Sequence, residues 1–360
     1  MLVEMQTRDR QEWLPTFTPS ADILKEATPA GVKKEGYYGL PMLKRPTWGW
    51  EIAGYFFLEG VSAASFLMAS LAARSGDKRL RPVMRAGHYT ALLAFIPCPP
   101  LLIADLGDPS RFHHMLRVFK PSSPMNLGAW ALSAYSLPMT LLAAKQFAEE
   151  LPKKYLPVKR AARLIPARLL GWLGLPLSLT MASYTGVLLA ATSTPLWATS
   201  RCLGALFATS AINDGVAATS LHLAMHDDRN RRALLRLEKV ERAARFGEAV
   251  ALGFYLATAG KAAKPLIKGR RGWQFWLGAV GVGLVAPTVL QAIRPKRRKP
   301  GRVGTILRSA LSLAGGFALK WAIVHAGRAS AEDVESALHA TRPSRSAPGW
   351  GQNAESSGAI

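Results

Sequence analysis

The sequence predicts an all-α polytopic integral membrane protein with eight transmembrane helices, and three observations support this fold class. The chain of 360 residues is 49% hydrophobic and yet carries a formal net charge of +23. Its charged residues are bunched between long apolar stretches and are nearly absent inside them, which is typical of membrane proteins rather than of nucleic-acid-binding proteins. The excess of Lys and Arg then faces water and anionic lipid, so we expect a lipid bilayer and no nucleic acid as partner.

Eight apolar stretches are long enough to cross about 30 Å of hydrocarbon at about 1.5 Å per residue. They are residues 49–73, 86–105, 126–144, 169–191, 197–223, 246–264, 273–293 and 305–327. We therefore expect an eight-helix membrane domain over residues 46–328. The flanking residues 1–45 and 329–360 are polar, and we expect the second of these to be a disordered tail.

The orientation in the membrane follows from the basic residues of the loops. The loops after the first, third, fifth and seventh stretches hold many more Lys and Arg than the other loops, for example RPKRRKPGR at 294–302. Basic loops stay on the cytoplasmic side. The sequence therefore predicts an inner-membrane protein with both termini on the outer, periplasmic side, and with the loop that contains Asp108 and Arg111 facing outward.

That outer loop concentrates ionisable residues at one helix end. Asp105 ends the second stretch, and Arg111, His113 and His114 follow within a few residues. A carboxylate at the membrane surface can exchange protons with a bound substrate. The alternatives are that Asp105 caps its helix or pairs with Arg111. Adjacent histidines on a helix point about 100° apart, so only one of the two can face a site.

Several polar residues lie inside the apolar stretches, where ionisable groups are expensive and commonly functional. On the fifth stretch, Ser210, Asp214 and His222 follow one another at i, i+4 and i+12. The other polar residues inside the apolar stretches are Glu59 in the first stretch, His88 at the inner start of the second stretch, and Asn213 beside Asp214. Together they suggest a proton path from the inner side toward the outer loop. The alternative is a buried polar cluster that fixes helix packing.

Four segments of the chain resemble, in order, the NrfD-like family of membrane subunits of polysulfide-reductase-type oxidoreductases. The most specific is DLGDPSRFHHMLRVFKPSSPMNLGAW at 105–130, with its D-L-G-x-P-x-R-F run followed by S-P-M. The other segments are YYGLPMLKRPTWGWEIAGYFFLEGVSAAS at 37–65, SYTGVLLAATSTPLW at 183–197 and KWAIVHAGRASAED at 320–333. The sequence departs from the family at Glu59, where small residues are usual, and at Lys320, where Arg is frequent.

The resemblance implies eight helices in two four-helix bundles, no haem, and a quinone site near the outer face. It also implies a docked ferredoxin-like subunit that holds the iron–sulfur clusters, with a molybdopterin catalytic subunit beyond it. We expect Asp105, His114, Arg111 and Glu59 to form the quinone and proton site. The candidate docking residues are Arg111, His113, Arg117 and Lys120. On this interpretation the protein is the quinone-reactive part of an oxidoreductase rather than an enzyme alone, and menaquinone and ubiquinone remain equal alternatives.

The sequence leaves other interpretations open. A purely structural anchor without a quinone site is compatible with the same residues, because they also make good packing residues. A secondary transporter is disfavoured because no repeat relates the two halves of the sequence. A dihaem cytochrome needs paired histidines at one depth, whereas His222 and His226 share one helix. The two cysteines, Cys98 and Cys202, lack the spacing of a metal or cluster site.

Overall fold

The computed structural model describes residues 43–44, 46–226, 231–293 and 301–332. The described residues form eight long helices joined by turns and short helices, and they contain no β-strand. The long helices are α1 Trp50–Arg74, α2 Lys78–Ala104, α3 Pro124–Glu150, α4 Ala167–Ala190, α5 Leu203–His226, α6 Arg231–Ala259, α7 Gly272–Ile293 and α8 Arg302–Glu332. The prediction of an all-α membrane protein is confirmed. The predicted segment 1–45 and the tail beyond Glu332 lie outside the described residues, apart from a few residues before α1.

Six of these helices, α1 to α4, α7 and α8, are long and apolar enough to cross a membrane. Helices α5 and α6 are as long but more polar, so their crossing of the membrane stays a prediction. Helix α5 packs against α1, α2, α4, α6 and α8 and is buried along most of its length. Because its polar residues face other helices rather than lipid, a central position accounts for its lower hydropathy. The grouping into two four-helix bundles also stays a prediction.

Prolines and caps set the ends of the helices around the outer loop. Helix α2 is interrupted at Ile96 and Pro97 and resumes as Cys98–Ala104, because proline lacks the amide hydrogen that helical bonding requires. Helix α3 begins at Pro124, and the Ser123 hydroxyl accepts a hydrogen bond from the Asn126 amide at 3.4 Å. Proline at the first position and serine at the cap are both favourable for a helix start.

Two predicted boundaries were wrong. Helix α6 begins at Arg231, although the apolar stretch begins at 246 and the preceding residues were predicted to form an inner loop. These residues are helical because Glu238, Glu241 and Arg245 are buried in contacts within the protein. Helix α8 continues to Glu332, into the segment predicted to be a disordered tail from 329 onward.

Small residues allow close packing between α1 and α5 and between α7 and α8. A Cβ atom added to Gly215 of α5 would lie 2.8 Å from the Ser65 backbone nitrogen of α1. A Cβ on Gly315 of α8 would overlap the backbone of Gly283 in α7. Glycine at these positions lets helix backbones approach closely, which is a principal source of stability between helices in lipid.

Candidate functional site

Asp105 directly follows α2 and is half-buried at the start of the outer loop. Its backbone N–H donates to the Leu101 carbonyl at 3.2 Å, which continues the helical pattern by one residue. Burial raises the pKa of the Asp105 carboxyl above its ordinary value, and the carboxylate of Glu51 in the first turn of α1 raises it further. A carboxyl in this setting keeps a proton to higher pH than a solvated one, which suits proton exchange with a substrate.

The partner of Arg111 is Asp108 rather than Asp105. The Arg111 Nε atom lies 3.0 Å from Asp108 Oδ2, and both side chains are largely exposed. Asp108 also accepts hydrogen bonds from the Ser110 amide at 3.1 Å and from the Ser110 hydroxyl at 2.6 Å. The alternative that Asp105 pairs with Arg111 was therefore wrong. The three-residue spacing from Asp108 brings the guanidinium to the nearer carboxylate.

His113 and His114 are both exposed, and their rings touch edge to face with centroids 4.3 Å apart. The Nδ1 atom of His113 lies 3.1 Å from the Ser110 carbonyl oxygen, which ties this ring to the turn. His114 begins the short helix His114–Arg117. Both rings are accessible at the surface, so a role for His114 beside Asp105 stays a prediction.

The rest of the outer loop combines exposed basic and apolar side chains. Arg117 and Lys120 are exposed, as are Phe112, Leu116 and Phe119 between and beside them. Exposed aromatic and aliphatic residues next to arginine are typical of protein–protein interfaces. The four predicted docking residues therefore lie on a surface of suitable composition, although their contact with a partner stays a prediction.

Asn126 in the first turn of α3 holds this loop in place, and sequence reasoning did not single it out. Its amide nitrogen donates to the Met115 carbonyl at 2.7 Å and to the Val118 carbonyl at 3.0 Å. Its amide oxygen accepts from the Lys120 N–H at 2.7 Å. One side chain thus satisfies three backbone groups of a loop that has no sheet or long helix of its own.

Lys320 of α8 forms a fully buried ion pair with Asp214 of α5. The Lys320 Nζ atom lies 2.7 Å from Asp214 Oδ2 and also donates to the Ser210 hydroxyl. All three side chains are inaccessible to solvent. Lys320 therefore links Ser210 and Asp214, which the helical spacing of the sequence had placed on one stripe of α5.

Two further predicted residues lie close to this ion pair. Glu59 of α1 is fully buried, and neither of its carboxyl oxygens has a hydrogen-bond partner within the described part of the protein. It is close enough to Lys320 to interact with its charge. Asn213, beside Asp214, donates from its side-chain nitrogen to Glu248 of α6 at 2.8 Å.

His88 and His222 make contacts of their own at the other end of the bundle. The Nδ1 atom of His88 lies 3.1 Å from the Gln146 side-chain oxygen of α3. The His222 ring stacks on Tyr89 and on His226, with centroid distances of 6.4 Å and 4.6 Å. The structure gives neither histidine a hydrogen bond to Asp214 or Glu59 among the described residues, so a continuous ladder through them stays a prediction.

A second buried ionic group joins α6 to α8. The Arg308 guanidinium lies 3.2 Å from Glu241 Oε2 and 3.3 Å from Glu238 Oε1. The Arg245 side chain pairs with Glu241 at 2.8 Å, and the Ser312 hydroxyl lies 3.4 Å from the same carboxylate. All of these side chains are almost completely buried. The group is a row of charges inside the protein, compensated by mutual pairing.

Comparison with known proteins identifies the family. The model of the family "Polysulphide reductase, NrfD" matches residues 40–331. The chain belongs to the NrfD family. It is 31% identical over 300 residues to a subunit of the polysulfide reductase of Wolinella succinogenes, an alignment that covers 78% of this chain and 94% of the relative. It is also 27% identical over 308 residues to protein NrfD of Escherichia coli (strain K12), covering 78% of this chain and 95% of the relative. With the protein NrfD homolog of Haemophilus influenzae it shares 25% identity over 305 residues, covering 78% and 94%.

Membership in the NrfD family confirms the resemblance drawn from the sequence motifs. The matched residues include all eight helices nearly to their ends, the outer loop and both buried ionic groups. The α6–α8 group was missed in the sequence, although a signal for it exists. Glu238, Glu241, Arg245 and Glu248 follow the spacing of one helix face, and such a stripe indicates burial against a neighbour when its charges find partners.

Proposed function

We propose that this NrfD-family protein is the membrane subunit of a reductase complex, and that it exchanges electrons between the quinone pool and an outward-facing iron–sulfur subunit. The family match over residues 40–331 is the observation that carries the proposal, because the relatives include a protein named as part of polysulfide reductase. The terminal chemistry would then belong to a molybdopterin subunit beyond the iron–sulfur partner.

The outer loop would supply the proton donor that a quinone site requires. Quinone reduction consumes protons together with electrons, so a proton donor must lie beside the ring carbonyls. Asp105 is half-buried, and its pKa is raised by burial and by Glu51. This carboxyl would hold and deliver a proton, and His114 would serve as a second polar contact at the same loop. Bound quinone supplies the redox chemistry, and menaquinone and ubiquinone are equally compatible with these residues.

The surface around this loop would be the docking site of the iron–sulfur subunit. Arg111, His113, Arg117 and Lys120 are all exposed on it, and exposed Phe112 and Phe119 accompany them. A basic and aromatic surface binds a partner with complementary acidic groups and apolar contacts. Docking here would bring the partner's clusters next to Asp105, where electrons are needed.

The buried ionic residues support a coupled proton movement. Glu59, Lys320 and Asp214 form a polar group in the centre of the bundle, and Asn213 connects it to Glu248. The Arg308 group extends the row of charges further along α6 and α8. Ionisable side chains in series inside a membrane protein are the usual elements of a proton relay.

The test begins with the tagged full-length protein extracted gently from native membranes. We expect a ferredoxin-like subunit to copurify, with electron paramagnetic resonance signals of iron–sulfur clusters that change when quinol is added. In that complex, Asp105→Asn should lower quinone turnover by about 100-fold or more, in line with the loss of an acid–base group. The matched control is Glu149→Gln, an exposed carboxylate at the opposite end of α3, which should leave turnover unchanged.

The outcomes separate the proposal from its alternatives. If a partner copurifies but its iron–sulfur signals do not change on addition of quinol, and if Asp105→Asn still assembles with that partner, the protein is a structural anchor without a quinone site. A purified protein with no partner and no bound quinone would overturn the proposal altogether. For the proton path, Glu59→Gln and Asp214→Asn should lower the membrane potential generated per turnover, and unchanged values in both variants would refute the path.

A further inference from the structure

A cavity of about 860 Å³ opens at the end of the protein opposite to the outer loop. It lies where α1 and α3 end and α2 and α4 begin, and its lining includes side chains from all four helices or their adjoining turns. A cavity of this volume falls within the range of roughly 300–1,000 Å³ that holds a ligand of moderate size. By the distribution of basic loops it faces the cytoplasm.

The cavity lining carries an excess of positive charge. The basic lining residues are Arg74, Lys78, Arg81, Arg85, Lys145 and Arg168, and the acidic ones are Asp77, Glu149 and Glu150. Two of the acidic groups already have partners, since Asp77 pairs with Arg236 at 2.7 Å and Glu150 with Arg85 at 3.6 Å. Lys78, Arg81 and Arg168 form no ion pair within the described residues. This free positive charge favours an anionic occupant.

One buried atom of the lining lacks a partner that a polar occupant would supply. His88 lines the cavity and is only 6% exposed. Its Nδ1 atom faces the Gln146 amide oxygen at 3.1 Å, and the Gln146 nitrogen is held by the Arg85 carbonyl at 3.1 Å. The other ring nitrogen, Nε2, has no hydrogen-bond partner within the described part of the protein. Since Nδ1 donates to the Gln146 oxygen, Nε2 of the neutral ring is an acceptor, and a hydroxyl group of an occupant that donates a hydrogen bond would satisfy it.

An arginine and a tryptophan of the lining, Arg74 and Trp172, lie against each other. The Arg74 guanidinium lies 3.3 Å from the ring centre of Trp172, and Trp172 is largely exposed. Tryptophan and arginine together are typical of the membrane–water interface. Leu71 and Leu173, on the same two helices, are exposed where acyl chains would run.

We propose that this cavity binds the phosphate headgroup of an anionic phospholipid. The phosphate would lie on Lys78, Arg81 and Arg168, and the acyl chains would extend along the apolar surface that includes Leu71 and Leu173. Basic pockets between transmembrane helices on the cytoplasmic side recognise such headgroups through charge-assisted hydrogen bonds. Free inorganic phosphate shares the headgroup chemistry but lacks the acyl chains. The site is remote from Asp105 and does not depend on quinone chemistry.

The test measures lipid binding to the full-length protein in detergent by native mass spectrometry. Phosphatidylglycerol should bind and remain bound when phosphatidylcholine is lost at equal concentration. The double variant Arg81→Gln/Arg168→Gln should bind phosphatidylglycerol about 30-fold more weakly, which corresponds to about 1 kcal/mol for each basic residue at the surface. The matched control is Arg160→Gln/Arg163→Gln, because both residues are exposed in the neighbouring helix Leu156–Arg163 and neither lines the cavity.

Three results would overturn the proposal. These are equal retention of phosphatidylcholine, equal weakening by the control variant, and competition by millimolar inorganic phosphate that removes the lipid completely. The last result would assign the cavity to a free anion. Melting curves of each variant in detergent without added lipid show whether a weaker signal comes from misfolding, and both double variants should melt within a few degrees of the wild type.

Discussion

Replacing Lys320 with Met leaves the Asp214 carboxylate buried without its cationic partner. The two side chains are fully buried and their charged atoms are 2.7 Å apart. Removing one partner of a buried ion pair costs about 3–5 kcal/mol, because the remaining charge is neither solvated nor compensated. Methionine retains the volume of the lysine stem, and the Ser210 hydroxyl can turn to donate to Asp214. We therefore expect the lower end of that range, about 3 kcal/mol.

The protein offers a control of the same geometry in a different environment. Arg236 and Asp77 also lie 2.7 Å apart, but their side chains are 49% and 29% exposed. Water already stabilises these charges, so Arg236→Met should cost less than about 1 kcal/mol. The free energy of unfolding is measured by titrating sodium dodecyl sulfate into detergent micelles and following the fluorescence of the ten tryptophans.

A double-mutant cycle completes this experiment. In Lys320→Met/Asp214→Asn the unpaired charge is removed, so the double variant should recover about 2 kcal/mol relative to the sum of the single variants. If Lys320→Met and Arg236→Met destabilise the protein equally, burial does not determine the strength of this pair, and the reasoning is refuted.

Three further predictions concern the outer loop and the helix packing. Asp105→Asn should be more stable than the wild type at neutral pH and equal to it below about pH 4. The reason is that the pKa of Asp105 is higher in the native than in the unfolded state, so the wild type loses stability as the pH rises through the interval between those two values. Melting curves of both proteins across this pH range test the prediction, and an equal difference in stability at every pH would contradict it. Asn126→Ala should remove the three hydrogen bonds between this side chain and the loop backbone, and should lower retention of the proposed iron–sulfur partner without changing the core. Copurification and a melting curve measure the two effects, and unchanged retention would refute the role of Asn126. Gly315→Ala should force α7 and α8 apart and destabilise the protein by about 1–3 kcal/mol. Gly304→Ala on the same helix has open space around it and should be neutral or stabilising. Equal unfolding free energies of the two variants would contradict the close packing.

Features of the fold that depend on local composition were predicted well from the sequence. The long apolar stretches predicted helices α1 to α4, α7 and α8 because a membrane requires every backbone group to be satisfied within one segment. The motif at 105–130 predicted the family and placed Asp105 at a helix end, which the structure confirms. In each case the decisive signal lies within a few tens of consecutive residues.

Features that depend on distant residues were not predicted. The residues from Arg231 to Arg245 are so charged that a loop was expected, yet Glu241 is neutralised by Arg308, which lies 67 residues away in the sequence. The pairing of Arg111 with Asp105, one alternative drawn from the sequence, was not observed either, because Asp108 also lies within reach and the turn around it brings Arg111 to that carboxylate.

The sequence by itself determined that this protein is helical, that it resides in a membrane and that it belongs to the NrfD family. Those properties follow from hydrophobicity summed over a span and from a motif read along the sequence. Only the tertiary structure decided which buried charges compensate one another and where a basic cavity opens. Charge pairing and cavities depend on distances between helices that are far apart in sequence, and hydropathy contains no information about those distances.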